Sequence, residues 1–198
     1  MDDVARDHMH ADPGHSLDAG RHTLFLDVER CVGCESCVVA CLDQNDLVID
    51  KKEHAWRQVF AVESGHADEA SITFLSLSCL HCGDAPCISG CPSGALGRDV
   101  ATGAVVVDAA LCVGCRACSL TCPFGVPRYG RDGRMQKCDL CTARVESGLE
   151  PACVRACPTR ALRAGPENDL AADQSARAAI RPHSHRSGTS RGTGSAVR

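Results

Sequence analysis

The residues of this protein that could carry chemistry are its cysteines, of which there are sixteen among 198 residues. They form four groups of four, with short gaps inside each group and longer gaps between groups. In chain order the groups are Cys31, Cys34, Cys37 and Cys41; Cys79, Cys82, Cys87 and Cys91; Cys112, Cys115, Cys118 and Cys122; and Cys138, Cys141, Cys153 and Cys157. Cysteine at this density either forms disulfides or supplies thiolates to a metal or cluster.

The sequence outside the cysteine region favours thiolate ligands over disulfides. Residues 1–20 are polar and acidic, without the apolar stretch of a secretory signal peptide and without a twin-arginine pair. No apolar run reaches the roughly 18 residues of a transmembrane helix. We therefore expect a protein that is soluble by its own sequence, in which the cysteines are reduced ligands.

The four groups alternate between two patterns. The first and third read C-V-G-C-x-x-C-x-x-x-C, whereas the second and fourth begin C-x-x-C, contain an insertion and end C-x-x-x-C-P. Soft thiolates suit iron–sulfur clusters and zinc, but structural zinc sites usually pair two C-x-x-C units across a longer gap. Four complete groups with no cysteine left over therefore predict four 4Fe–4S clusters, with zinc sites or disulfides as the alternatives.

An exchange of ligands between groups is predicted from the ferredoxin run C-x2-C-x2-C-x3-C-P, which gives three ligands to one cluster and its fourth to the other. The third group matches that run through Pro123, and 20 residues with a predicted turn at Thr102–Gly103 join it to the second group. The second and third groups are thus expected to exchange fourth ligands, and so are the first and fourth. The predicted sets are Cys31, Cys34, Cys37 and Cys157 (site 1); Cys79, Cys82, Cys87 and Cys122 (site 2); Cys112, Cys115, Cys118 and Cys91 (site 3); and Cys138, Cys141, Cys153 and Cys41 (site 4).

Short elements are expected to position these ligands. Strand patterns cover residues 22–27, 56–62, 71–77 and 100–107. Short helical turns are expected after the second cysteine of each group, with a longer helix over Ala143–Gly148 and another over Asn168–Ile180. Aromatic residues make up only 3% of the sequence, so the cysteine sites are expected to fill space that rings would otherwise occupy.

Polar residues near the cysteines leave two interpretations open. His81 either donates a hydrogen bond to sulfur and tunes a cluster, or lies in a loop partly facing solvent, and we expect the second. Nearby cations either raise cluster potentials or are solvated loop charges. These cations are Arg116, Arg128, Lys137, Arg144, Arg155 and Arg160.

The rest of the sequence contains no recognisable catalytic constellation. There is no nucleophile motif, no glycine-rich phosphate loop and no dinucleotide fingerprint. The formal net charge of -4 gives no indication of a nucleic acid or an anionic membrane surface as partner. We therefore expect a non-catalytic electron carrier, whose flavin or nicotinamide site, where one is needed, belongs to a partner.

Residues 21–170 resemble the electron-transfer subunit of dimethyl sulfoxide reductase and its relatives in the complex iron–sulfur molybdoenzyme family. The cysteine groups carry this resemblance together with several flanking stretches. These are Cys37-Val-Val-Ala-Cys41, Trp56-Arg57, residues 78–87, Cys122-Pro-Phe-Gly-Val-Pro-Arg-Tyr129, Met135-Gln-Lys-Cys-Asp-Leu-Cys141 and residues 151–162. Some relatives have Trp in place of one cysteine of the third group and hold a 3Fe–4S centre. Because Cys115 is present, the resemblance implies four 4Fe–4S clusters here.

The resemblance implies an α+β fold of two ferredoxin-like dicluster halves, with short strands, short helices, long loops and flexible termini. The tandem 4Fe–4S ferredoxin-type domain would cover residues 21–166. Its inner half is expected at about 72–128, and its outer half at about 21–50 plus 130–166. Residues 1–20 are expected to form a polar arm and residues 167–198 a mostly disordered tail.

The resemblance also implies partners. They are a molybdopterin-containing catalytic subunit and a quinol-linked membrane anchor or other redox partner, while this protein is expected to have no membrane span and to bind no nucleic acid. The expected location is cytoplasmic or peripheral at the cytoplasmic membrane, or across it if a partner carries the export signal. The alternatives are an iron–sulfur subunit of a hydrogenase or formate dehydrogenase, a free polyferredoxin, and a zinc-stabilised interaction module.

Overall fold

The protein is described from a computed structural model, which covers residues 21–48, 55–65 and 70–180. The described residues form short strands and short helices in a mixed α/β arrangement. In chain order the elements are β1 (His22–Leu26), α1 (Ser36–Gln44), β2 (Gln58–Ser64), β3 (Ser71–Leu77), α2 (Pro86–Ser89), β4 (Leu96–Arg98), β5 (Val105–Val107), α3 (Ala117–Thr121), β6 (Arg128–Tyr129), β7 (Met135–Gln136), α4 (Thr142–Glu146), α5 (Ala152–Arg155), β8 (Leu162–Pro166) and α6 (Glu167–Ile180). The predicted polar arm and the tail beyond residue 180 lie outside the described residues.

Each strand has one antiparallel partner, and two of these pairs bring distant cysteine groups together. β1 precedes the first group and pairs with β8, which follows the fourth group, with Leu24 opposite Ala164. β4 follows the second group and pairs with β5, which precedes the third group, with Leu96 opposite Val107. Helix α1 packs on α5, and α2 packs on α3. The first group thus lies beside the fourth, and the second beside the third.

Three apolar cores lie along the molecule. The outer core contains Cys37, Cys153, Val154 and Leu162, and the inner core contains Ala85, Leu96, Val105, Cys118 and Met135. The central core, of Cys79, Val126 and Cys138, joins cysteines of the second and fourth groups. Small aliphatic side chains and cysteines thus do much of the packing, as the low aromatic content predicts.

The predicted strands over 56–62 and 71–77 form the hairpin of β2 and β3, paired from Gln58 opposite Leu77 to Ser64 opposite Ser71. Although this hairpin directly precedes the second cysteine group in the sequence, Val59 packs against the outer core. The hairpin therefore carries side chains from the middle of the sequence into the part of the molecule that holds the first and fourth groups.

The helix predictions are confirmed at both predicted longer helices and are partly wrong near the cysteines. Gly148 ends α4, because at φ +74° its amide bonds the Val145 carbonyl while the Leu149 amide bonds the Arg144 carbonyl. Helix α6 matches the helix predicted over 168–180. In the second group, however, α2 begins at Pro86 rather than directly after Cys82, because proline at the first helical position follows an extended insertion. None of the helices among the described residues has the length and apolar character needed to cross a membrane.

All four C-x-x-C loops share one backbone feature. The residue before the second cysteine has a positive φ in each: +69° at Gly33, +47° at His81, +67° at Gly114 and +65° at Leu140. Glycine is required at two of them, since an added Cβ would lie 2.5 Å from the Phe74 ring at position 33 and 2.6 Å from the Gly133 carbonyl oxygen at position 114. The repeat in the sequence is therefore also a repeat in the loop conformation.

The substitution Gly114→Ala tests this close approach. We expect it to lower the melting temperature markedly, because the new methyl group meets backbone that cannot move aside, in addition to the left-handed strain. The matched control is Gly94→Ala, since Gly94 has φ +66° but no atom within 4 Å of an added Cβ. The control should cost only the backbone strain, roughly 1 kcal/mol. Equal losses in anaerobic thermal unfolding at one scan rate would contradict the steric argument.

Candidate functional site

Three cysteines of the first group and one of the fourth line a single cavity. Cys31, Cys34 and Cys37 come from the loop before α1 and from its first turn, and Cys157 follows α5. Gly33 and Ser76 line the same cavity. The structure thus brings the four cysteines predicted for site 1 around one space.

The first and fourth groups also meet in the opposite combination, with one cysteine of the first group beside three cysteines of the fourth. Cys41, further along α1, lines a second cavity with Cys138, Cys141 and Cys153. These are the cysteines predicted for site 4. Trp56, Arg57 and Asn45 also line this cavity, and the Asn45 side-chain amide lies 3.7 Å from the Cys41 sulfur.

The third group shows the same exchange with the second. Cys112, Cys115 and Cys118 line a third cavity with Cys91, as predicted for site 3. Tyr129 closes one side, and its hydroxyl lies 3.5 Å from the Cys118 sulfur and 2.6 Å from the Ser119 hydroxyl.

The cysteines predicted for site 2 divide between two of the apolar cores. Cys79 and Cys122 pack in the central core, whereas Cys82 and Cys87 pack against the inner core. Burial, together with the neighbouring charges of Cys79 and Cys122, raises the pKa of the Cys87 thiol. The central and inner cores thus hold two members each of the set predicted for site 2.

Backbone amides and hydroxyl groups surround the sulfur atoms. The amides of His81, Met135, Leu140 and Ala161 donate to the sulfurs of Cys79, Cys112, Cys138 and Cys157 at 3.4, 3.3, 3.4 and 3.2 Å. The hydroxyls of Ser36, Ser76, Ser93 and Thr159 lie 3.4, 3.3, 3.6 and 3.6 Å from the sulfurs of Cys34, Cys37, Cys91 and Cys157. Donors placed in this way stabilise thiolate, the form that binds metal.

The thiols differ widely in how readily they ionise. Burial raises the pKa of both Cys41 and Cys138 to about 12, so these thiols are protonated at neutral pH when no metal is bound. Hydrogen bonds from Ser36 lower the pKa of the exposed Cys34. Because metal binding requires thiolate, filling the buried sites must release protons.

Arg57 is a residue of the site that the sequence analysis did not single out as functional. It is only 2% exposed, and it donates from Nη1 to the Ser76 hydroxyl at 2.9 Å and from Nη2 to the Ser78 hydroxyl at 2.7 Å. Arg57 stands at the start of a predicted strand and belongs to the Trp56-Arg57 stretch that carries the family resemblance, but neither signal tells a buried arginine from an exposed one.

The six cations predicted near the cysteines divide between the two interpretations. Lys137 is 4% exposed and donates from Nζ to the Val105 and Cys138 carbonyls. Arg116, Arg155 and Arg160 are exposed, and Arg116 lies over the Tyr129 ring at 4.9 Å. Arg128 and Arg144 are partly buried and bond glutamine side chains and backbone carbonyls. Lys137 alone of the six is a buried charge.

The expectation that His81 partly faces solvent is wrong. The side chain is 1% exposed, and its Nδ1 accepts a hydrogen bond from the Val105 amide at 3.0 Å. The proton of the neutral ring is therefore on Nε2, which has no hydrogen-bond partner among the described residues. Burial, reinforced by the nearby charge of Lys137, lowers the pKa of His81 well below its usual value.

Comparisons with known proteins identify iron–sulfur relatives. A family model described as a 4Fe-4S dicluster domain matches residues 70–167, and a second model of the same description matches residues 30–95. The protein is 39% identical over 171 residues to the B subunit of the anaerobic dimethyl sulfoxide reductase of Escherichia coli strain K12, covering 82% of each sequence. It is 40% identical over 148 residues to the thiosulfate reductase electron transfer subunit of Salmonella typhi, covering 73% of this sequence and 76% of that one. The iron-sulfur subunit of the nitrate-inducible formate dehydrogenase of Escherichia coli strain K12 is 33% identical over 160 residues, which cover 74% of this sequence and 54% of that one.

The substitution His81→Ala tests the structural part of the His81 interaction. It leaves the buried Val105 amide without its acceptor and opens a cavity, at a cost of about 2–4 kcal/mol. We expect the melting temperature to fall by roughly 5 °C or more. The matched control is Leu80→Ala in the same loop, since Leu80 is 43% exposed and its truncation should be nearly neutral. Equal effects of the two substitutions would contradict this role for His81.

Proposed function

The protein belongs to the family of iron–sulfur electron-transfer subunits that includes the B subunit of anaerobic dimethyl sulfoxide reductase, and on that premise we propose that it carries four 4Fe–4S clusters and relays electrons between two redox partners. The observation that carries the proposal is the lining of the cavities. In three cavities, three cysteines of one group meet the last cysteine of another. A 4Fe–4S cluster needs one thiolate for each of its irons, and four converging thiols meet that need.

We assign all sixteen cysteines as ligands in the four sets defined above, sites 1 to 4. The residues present fit the group: soft thiols line each of the three cavities, amides and hydroxyls donate to sulfur, and Arg57 and Lys137 are buried cations. A bound 4Fe–4S cluster supplies a centre that accepts and releases one electron, with about two negative charges in its oxidised form. The protein's own residues would hold the thiolates, exclude water and balance that charge.

The order of the sites along the relay follows from the cores. Sites 1 and 4 share the outer core through Cys37 and Cys153, and sites 4 and 2 share the central core through Cys138 and Cys79. Sites 2 and 3 share the inner core through Cys87 and Cys118. We therefore propose the order site 1, site 4, site 2, site 3, with exposed Cys34 and Cys115 marking the two ends.

We propose that the protein is a non-catalytic subunit in two dicluster halves. The outer half holds sites 1 and 4, the inner half holds sites 2 and 3, and residues 21–166 form the tandem domain. One partner would be a molybdopterin-containing catalytic subunit, supported by the likeness to a dimethyl sulfoxide reductase subunit. The other would be a quinol-linked membrane anchor or another redox protein. A formate dehydrogenase complex is the second candidate, favoured by the 33% identity to such an iron-sulfur subunit.

The metal content of the purified protein tests the cluster proposal. Anaerobic purification should give a brown protein with about sixteen iron and sixteen acid-labile sulfide per molecule, four of each for every cluster. The measurement is elemental analysis together with sulfide assay. A colourless protein with about four zinc per molecule would support a zinc-stabilised interaction module instead.

The exchange of ligands between groups is tested by Cys157→Ser. We expect it to damage the cluster of the first group and to leave the cluster of the fourth group in place, because Cys157 lines the cavity of Cys31, Cys34 and Cys37. The paired control is Cys153→Ser, four residues earlier, which should damage only the cluster of the fourth group. The measurement is iron content together with electron paramagnetic resonance of the reduced protein. Loss confined to the fourth group's cluster in Cys157→Ser would refute the exchange.

A further inference from the structure

The guanidinium of Arg57 is buried among neutral groups. Its partners are the Ser76 carbonyl at 3.3 Å and the hydroxyls of Ser76 and Ser78 at 2.9 and 2.7 Å. These serines are themselves only 5% and 6% exposed. Within the ranges that the structure describes, no carboxylate forms an ion pair with Arg57. A buried cation without a counter-charge costs several kcal/mol, so this position calls for an anion.

Arg57 is connected to the cavities of two proposed cluster sites, site 4 and site 1. The side chain lines the cavity of site 4, together with Cys41, Cys138, Cys141 and Cys153. Its Nη1 also donates to the hydroxyl of Ser76, which lines the cavity of site 1. The hydroxyl of Ser76 lies 3.3 Å from the Cys37 sulfur.

The hydrogen bonds form a directed series. Because the Ser76 oxygen accepts from Arg57, its own proton is free to be donated to the Cys37 sulfur when that sulfur is a thiolate. A donor that is itself bonded to a cation is polarised and forms a stronger bond to an anion. Arg57 therefore acts on site 4 directly and on site 1 through Ser76.

We propose that Arg57 is the internal counter-charge shared by the clusters of sites 1 and 4, and that it raises the midpoint potentials of both. The inference rests on the proposed function, since it needs clusters at these two sites. Each cluster gains a negative charge on reduction, and a fixed cation in a poorly hydrated interior stabilises the reduced form more than the oxidised form.

The ionisation of the thiols agrees with this placement. Burial raises the pKa of Cys37, Cys41 and Cys138, and in all three the charge of Arg57 opposes that rise. Cys37 belongs to site 1, whereas Cys41 and Cys138 belong to site 4. The same cation thus favours negative charge on both sets of ligands.

Arg155 provides a matched comparison. It lies in sequence between Cys153 of site 4 and Cys157 of site 1, as close in sequence to both sites as any arginine. Its side chain is exposed, so solvent screens its charge. Comparing Arg57 with Arg155 therefore separates the effect of a buried charge from that of a charge that is close in sequence but exposed.

The test is an anaerobic redox titration of the full-length protein, followed by electron paramagnetic resonance, in Arg57→Gln, Arg57→Lys and Arg155→Gln. The signals of sites 1 and 4 are assigned from their loss in Cys157→Ser and Cys153→Ser. In Arg57→Gln we expect the reduced-to-oxidised ratio of both clusters at fixed potential to fall at least tenfold, which is 59 mV for one electron. Sites 2 and 3 should keep their potentials. Arg57→Lys, which keeps the charge, should shift sites 1 and 4 by less than half as much, and Arg155→Gln should shift nothing.

Ser76→Ala separates the two routes. It keeps the cation but removes the hydroxyl that reaches Cys37, so the potential of site 1 should fall while that of site 4 stays. Unchanged potentials in Arg57→Gln, an equal shift of all four clusters, or an equal shift in Arg57→Lys or Arg155→Gln would overturn the proposal.

Iron analysis covers the case in which Arg57→Gln assembles poorly. Loss of only the clusters of sites 1 and 4 in Arg57→Gln, with all four clusters retained in Arg57→Lys, supports a requirement for the charge. Equal loss in both variants would overturn the proposal, since packing would then explain the effect. Fewer than four 4Fe–4S clusters in the unchanged protein would instead refute the proposed function, whereas four clusters with no response to Arg57→Gln would refute only this inference.

Discussion

The fold depends on one geometric constraint: a short loop with three closely spaced cysteines can surround a cavity from one side only. The fourth thiol has to reach the cavity from another part of the sequence. Cys157 does so for the first group and Cys91 for the third. The strand that follows each of these cysteines fixes its position: β8, after Cys157, pairs with the distant β1, and β4, after Cys91, forms a hairpin with β5. These two small sheets lie where the proposed ligand exchange needs them.

A second constraint is the compensation of charge in an interior that contains few large side chains. Burial opposes ionisation of the interior thiols, as the pKa of about 12 for Cys138 shows. This effect of burial is opposed by amide and hydroxyl donors beside the sulfurs and by two deeply buried cations, Arg57 and Lys137. Arg57 directly precedes the β2–β3 hairpin, which packs on the outer core through Val59.

Much of the site could be predicted from the sequence because ligand spacing is a local property. The sets for sites 1, 3 and 4 each surround one cavity, and the strands predicted over 22–27, 56–62 and 71–77 lie near their predicted positions. The strand predicted over 100–107 is limited to β5, and its partner β4 precedes the predicted turn in a stretch with no predicted strand. The burial of Arg57 and His81 could not be predicted, because it depends on which surface the hairpin and the loop meet in three dimensions. The start of α2 was missed for a local reason, the extended insertion before Pro86.

The four C-x-x-C loops show how one backbone conformation is reached by two routes. At positions 33 and 114 a neighbouring ring or carbonyl leaves no room for a side chain, so glycine takes the left-handed conformation without strain. His81 and Leu140 take the same conformation at a cost of about 1–2 kcal/mol each. Both are only 1% exposed, and their backbone amides donate to the sulfurs of Cys79 and Cys138, two cysteines of the central core. Burial of a large side chain offsets a strain of that size. The glycine loops belong to sites 1 and 3, at the two ends of the proposed relay, and the loops with His81 and Leu140 belong to sites 2 and 4, in its middle.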